Sequence, residues 1–226
     1  MPTILHLETS GKSCSVSWTV NGVCVADETI VSEHFIHAEQ LHPLIEQLRT
    51  QASISWNTLS AIAVSKGPGS YTGLRIGVSA AKGLCYTTGA KLIALDTTSI
   101  LANEIIRTHS DYDLILPMID AGRMEVYCAV FNAHGERIKS DEARIIDDAF
   151  FLEFEGKKIV LTGDGASKCA PWAGAALSIH PNYPTAPMMH SLATAAFNSG
   201  AFEDVAYFEP FYLKEYVPGI SKRSVL

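Results

Sequence analysis

The stretch Lys66-Gly67-Pro68-Gly69-Ser70-Tyr71-Thr72-Gly73-Leu74-Arg75-Ile76-Gly77 constrains the fold of this chain more than any other. It joins an apolar strand pattern, Ala61-Ile62-Ala63-Val64, to a segment that reads as a helix. Gly67 and Gly69 permit positive φ, Pro68 locks its own φ, and Ser70 or Thr72 is placed to cap the helix. Exposed N–H groups at such a helix start form an anion nest. The known phosphate loops are not matched. No Gly-Lys-Ser/Thr triplet lies in this stretch, and Thr72 stands where a dinucleotide motif has its third glycine. Gly73, Gly77 and Ala81 then recur every four residues as one small-residue stripe. A glycine inside a helix costs about 1 kcal/mol against alanine, so another backbone must come close to this face. Two neighbours meet that requirement: the chain's own sheet or helices, and the helix of a partner.

Length bounds the rest. A chain of 226 residues holds one large domain or two small ones, each able to bury a core. Hydrophobic content of 47% and charged content of 18% are ordinary for a globular protein. No apolar run reaches the length of a membrane span, and the N-terminus lacks a basic region followed by an apolar one. Five scattered cysteines (14, 24, 85, 128 and 169) form no CxxC pair, so they read as reduced core residues of a cytoplasmic protein. A net charge of −7 without a basic run argues against tight direct binding to nucleic acid, and a free-standing RNA-binding module is disfavoured.

Along the chain, three strands are predicted at 3–9, 13–20 and 23–30, with Asn21-Gly22 as the hairpin turn between the last two. A helix at 37–50 carries Leu41, Leu44, Ile45 and Leu48 on one face. A strand at 60–65, the glycine loop and helix at 66–88, a strand at 91–95 and a helix at 98–108 follow, the last capped by Asp96, Thr97 or Thr98. This alternation favours an α/β sheet of mixed direction. A second copy of the opening begins near 114, because Ile4 to Lys12 can be laid over Leu116 to Arg123. The second half is reduced, its helices short or interrupted by Pro171, Gly174, Pro181, Pro184 and Pro187. The expected division is 1–110 and 111–226, with the boundary at 109–113.

Several groups are candidates for chemistry. Glu8 and Asp120 end the first strands of the two halves, where a nucleotide enzyme would hold Mg²⁺ and water; capping of turns is the other reading, and the better one for Glu8. Gly163 and Gly165 in Gly163-Asp164-Gly165-Ala166 form either a second phosphate-facing turn or a plain strand-to-helix turn. Lys66 and Arg75 flank the glycine loop as its charged contacts. Ser70 fails the GxSxG pattern, with Pro68 and Thr72 at the glycine positions, so a hydrolase triad is rejected. His34, His37 and His42 lack the i, i+4 spacing of a helical metal pair; no metal site is assigned, and helix start and partner contact is the stronger reading.

The glycine loop followed by Ala80-Ala81-Lys82-Gly83-Leu84 resembles the signature of the TsaB (YeaZ) family. Ile4 to Ser10, His37 to Ile45, Leu116 to Tyr127 and Pro210 to Lys214 resemble other segments of that family. Position 8 departs from it, holding Glu where Asp is usual. The resemblance implies a two-lobed actin/Hsp70/sugar-kinase-like (ASKHA) fold, built from a duplicated β-meander plus helices with a reduced second lobe. It implies a partner subunit without chemistry or cofactor of its own, acting in threonylcarbamoyl-adenosine synthesis on tRNA. Its partners would be a TsaD-like transferase and a TsaE-like ATPase near the lobe junction, with a homodimer in isolation and tRNA contacted only indirectly. ATP or ADP and Mg²⁺ would belong to those partners or to the shared junction. The expected partner surface is His37, Leu41, Leu44, Ile45 and Leu48 with Gly73, Leu74, Gly77, Val78 and Ala81. The alternatives are an ATP-dependent kinase or ATPase of the same superfold, with Glu8, Asp120, Gly163 and Gly165 as a vestigial nucleotide site, and a metallopeptidase-like hydrolase.

Overall fold

Asn21 (φ 56°) and Gly22 (φ 77°) both take left-handed backbone, the conformation a two-residue hairpin turn requires. They join strand β2 (Ser13–Val20) to β3 (Val23–Val31), and β2 pairs antiparallel with β1 (Thr3–Glu8). The computed structural model describes residues 2–32 and 36–214. After the meander come α1 (His37–Gln51), β4 (Leu59–Gly67), α2 (Tyr71–Thr88), β5 (Lys91–Asp96) and α3 (Thr97–Thr108). The first sheet has the order β3-β2-β1-β4-β5, and β4 runs parallel to both β1 and β5.

The plan then repeats. Strands β6 (Leu114–Asp120), β7 (Glu125–Asn132) and β8 (Arg137–Ile145) form a second antiparallel meander. After the short α4 (Asp148–Leu152), β9 (Ile159–Thr162) and β10 (Leu177–His180) add in parallel, giving the order β10-β9-β6-β7-β8. Where the first half has the eighteen-residue α2, the second has only a 3-10 segment, Asp164–Trp172, containing Pro171.

Packing ties the halves together. One face of the first sheet is covered by α1 and α2 through Leu41, Leu44, Ile45, Leu48, Val78 and Ala81. The other face is covered by Ile100 of α3, the 3-10 turn Ala186–Met189 and α5 (His190–Ser199). Ala102 and Ile105 of α3 meanwhile pack against Ile115, Ala129, Phe131 and Val160 of the second sheet. Residues 186–199 lie on the first sheet although they follow the second in sequence. Ser13 Oγ donates to the Pro184 carbonyl at 2.6 Å, and Ala186 N–H to Ser15 Oγ at 2.9 Å, which fixes that return. Four of the five cysteines are buried as expected, whereas Cys24 is exposed on the edge strand β3. Among the described residues no helix is long and apolar enough to cross a membrane.

Candidate functional site

The turn after β1 is built against the glycine loop. Ser70 caps α2 by accepting Gly73 N–H at 3.2 Å, as its position predicted. Its own N–H donates to the Ser10 carbonyl at 2.7 Å. A Cβ on Gly69 would collide with the Ser10 carbonyl, one on Gly73 with the Thr9 carbonyl, and one on Gly77 with Thr9 Oγ1. The small-residue stripe thus receives the chain's own Thr9-Ser10 turn. The expectation that it meets a partner helix is corrected, because an internal backbone already fills that approach. Leu41, Leu44, Ile45, Leu48, Leu74, Val78 and Ala81 are likewise core residues with at most 3% exposure, so they underlie the α1–α2 surface and do not form it.

Glu8 serves the same turn. Its Oε1 accepts Ser10 N–H at 2.6 Å and the Ser65 hydroxyl at 3.0 Å, while Oε2 has no hydrogen-bond partner among the described residues. Burial raises its carboxyl pKa, against the lowering effect of those hydrogen bonds. A sealed carboxylate that holds a turn does not fit the role of a magnesium ligand, which needs an oxygen facing the cleft. Lys66 and Arg75 are also engaged elsewhere. Lys66 lies 3.4 Å from Asp96, and Arg75 stacks on Tyr71 and donates to the Tyr212 hydroxyl at 3.2 Å.

Between the sheets lies an open cleft of about 450 Å³, bordered by Ser10, Gly69, Ser70, Asp120, Tyr127 and Asp164. The structure brings Asp120 to it but ties that carboxylate to Lys168 Nζ and Gly122 N–H, both at 2.6 Å. Gly163, at φ 104°, and Gly165 are required by close packing on β6: a Cβ on the first would collide with the Met118 carbonyl, and one on the second would crowd Ile119 and Asp120. Asp164, between them, accepts Asp120 N–H at 3.0 Å, and burial raises its pKa. This is the plain turn reading. His37 is buried and bonded through Nε2 to the Ser13 carbonyl at 3.1 Å, whereas His42 borders a surface groove; His34 lies outside the described residues.

That groove is the feature sequence reasoning missed. It has about 570 Å³ and is lined from α1 by Ala38 and His42, and from α2 by Ile76, Ser79, Ala80, Gly83, Leu84 and Thr87. Nothing lies near the position of a Cβ on Gly83, and Tyr86, three residues further along α2, is 86% exposed. The signal was present as a second small-residue pair on α2, Ser79 and Gly83, offset by two residues from Gly77 and Ala81.

A family model described as "TsaD: tRNA N6-adenosine threonylcarbamoyltransferase" matches residues 30–213. The tRNA threonylcarbamoyladenosine biosynthesis protein TsaB of Buchnera aphidicola subsp. Baizongia pistaciae is 30% identical over 181 residues, covering 74% of this chain and 77% of that protein. The chain belongs to the TsaB (YeaZ) family. TsaB of Bacillus subtilis is 30% identical over 154 residues, 65% of this chain and 63% of its own length. TsaB of Haemophilus influenzae is 28% identical over 141 residues, 62% and 57% respectively, so the chain spans less than two thirds of these two TsaB relatives. The solved structure of YeaZ from Pseudomonas aeruginosa superposes with a TM-score of 0.76 at 25% identity, covering 94% of this chain and all of that one. An activator of 2-hydroxyisocaproyl-CoA dehydratase from Clostridium difficile shares the fold at 10% identity, with a TM-score of 0.52. The TsaB fold described above is accordingly ASKHA-like, with both meanders retained.

Proposed function

We propose that this chain is a partner subunit of tRNA threonylcarbamoyladenosine biosynthesis that docks a TsaD-type transferase through the outward faces of α1 and α2. The observation that carries the reading is the groove along Ala38, His42, Ser79, Gly83 and Leu84, with the exposed Tyr86 three residues beyond Gly83 on α2. Small residues on an exposed helix let a second helix approach closely, and an exposed tyrosine is a typical anchor of such contacts. The same face would close on a second copy in the isolated protein. A TsaE-type ATPase would engage the lobe junction, and any nucleotide or magnesium would belong to these partners. Two features support a role without chemistry of its own: Glu8 is sealed inside a turn, and Asp120 is tied to Lys168. The net charge of −7 supports tRNA contact through the partner.

The test is a reconstituted modification reaction with and without this chain, read by nucleoside mass spectrometry. Gly83→Arg, placed in open space, is expected to keep the fold and weaken transferase binding at least about tenfold. Asp120→Asn is expected to leave product formation intact. Equal product without the chain would sink the reading.

A further inference from the structure

After α5 the chain returns across α2 and the glycine loop to the opposite sheet. Lys82 Nζ donates to the carbonyls of Ala206 at 3.2 Å and Phe208 at 2.9 Å. The Tyr212 ring lies 4.6 Å from that of Tyr71, with Arg75 bonded to its hydroxyl. Phe211 N–H donates to the Lys66 carbonyl at 2.7 Å, and its own carbonyl occupies the space a Cβ on Gly67 would need. Gly67 is therefore required by a crossing segment of the same chain. Lys214 then reaches the second sheet, where its Nζ lies 2.5 Å from Glu125 Oε1 on β7.

Lys66 is held from its other side as well. Its ammonium pairs with Asp96, which lies 3.4 Å from Arg137 on β8; Arg137 also bonds Ser99 Oγ at 2.8 Å and pairs with Asp141. Both routes lead from the Lys66-Gly67 junction to the second sheet. We propose that residues 206–214 form a strap that fixes the angle between the two sheets, anchored at Gly67 and fastened at Glu125. The fastening point adjoins the turn 121–124, of which Ala121 borders the cleft, so the strap sets how far the cleft opens. The Lys214–Glu125 ion pair is partly exposed and weak alone, and the strap works through the alignment of its contacts along one segment.

Pulsed electron-spin distance measurement tests this on the full chain. Cys24 is the exposed cysteine and the other four are buried, so spin labels on Cys24 and on Lys157→Cys, in labelled protein diluted with excess unlabelled chain, report one intramolecular distance from the first sheet to the second. The parent is expected to give a single narrow distribution. Lys214→Glu, which sets like charges against each other, is expected to broaden it about twofold. Adding Glu125→Lys is expected to narrow it again. Tyr212→Ala, which releases the strap from α2, provides an independent arm with the same expected broadening. Unchanged distributions in Lys214→Glu and Tyr212→Ala, both folded by circular dichroism, would overturn the proposal. So would broadening that the charge swap fails to reverse.

Discussion

The Thr9 hydroxyl donates to the Gly73 carbonyl at 2.8 Å, fastening the turn after β1 to the first turn of α2. The same hydroxyl oxygen occupies the space a side chain on Gly77 would need. The glycine pattern of this family thus stands, in this chain, for a strand end and a helix start packed backbone to backbone.

From this contact, Gly77→Leu is expected to destabilise the fold by about 3 kcal/mol, the scale of severe overpacking. Chemical denaturation measures it. A stable Gly77→Leu protein that has lost only partner binding would return the stripe to the interface.

Glu8 supplies acceptors to Ser10 N–H and the Ser65 hydroxyl. Glu8→Gln keeps the acceptor oxygen and removes a buried ionisable group, so its stability is expected to equal or exceed that of the parent. Glu8→Ala leaves both donors without an acceptor and is expected to cost about 1–3 kcal/mol. Urea titration of the two variants separates these outcomes.

Acid sensitivity follows from His6. Its ring is fully buried, its Nδ1 lies 3.3 Å from the Ser17 carbonyl, and burial together with neighbouring His190 lowers its pKa to about 3. The His190 ring lies 4.6 Å away and bonds Ser17 Oγ at 2.7 Å; its pKa is also lowered by burial, against the opposing pull of Asp27. A histidine depressed in the folded state takes up protons first in the unfolded state, so its stabilisation is present above pH 6.5 and lost as pH falls toward 3. Glu8 and Asp164, with raised pKa values, act in the opposite sense and favour the fold on acidification. Comparing the parent with His6→Leu isolates the histidine. The parent is expected to lose about 2 kcal/mol more than the variant between pH 7 and pH 5.

Arg137 joins β8 to Asp96 and Ser99 and pairs with Asp141 on its own strand. Arg137→Ala removes its pairing with Asp141, whose side chain is only 8% exposed. A loss of about 1–2 kcal/mol is expected in thermal or urea unfolding, with Thr98 Oγ1 still donating to Asp141 at 2.6 Å.

Much of the fold was legible from local chemistry. Asn21-Gly22 marked the hairpin, Ser70 the start of α2, and the predicted strand at 60–65 and helix at 37–50 lie within β4 and α1. Asp96 does precede α3, but its side chain makes no cap bond there, because its carboxylate faces Lys66 and Arg137 instead. What sequence could not convey was direction in space. A four-residue period says that a helix face is small, not which backbone approaches it. The apolar stripe of α1 carried the same ambiguity, since a core residue and an interface residue obey one period. Thr9 and Phe211 lie far in sequence from the glycines they contact, so no local pattern links them.

Helix α3 fills space in two interiors at once, with Ile100 on the first sheet and Ala102 and Ile105 against the second. Residues 186–199, from the far end of the chain, complete the covering of the first sheet. Neither copy of the duplicated meander owns all the side chains that keep it dry. The repeat is therefore a symmetry of layout and not of autonomy: cutting the chain between the halves would leave two open sheets, and the intact protein is expected to melt in one cooperative step.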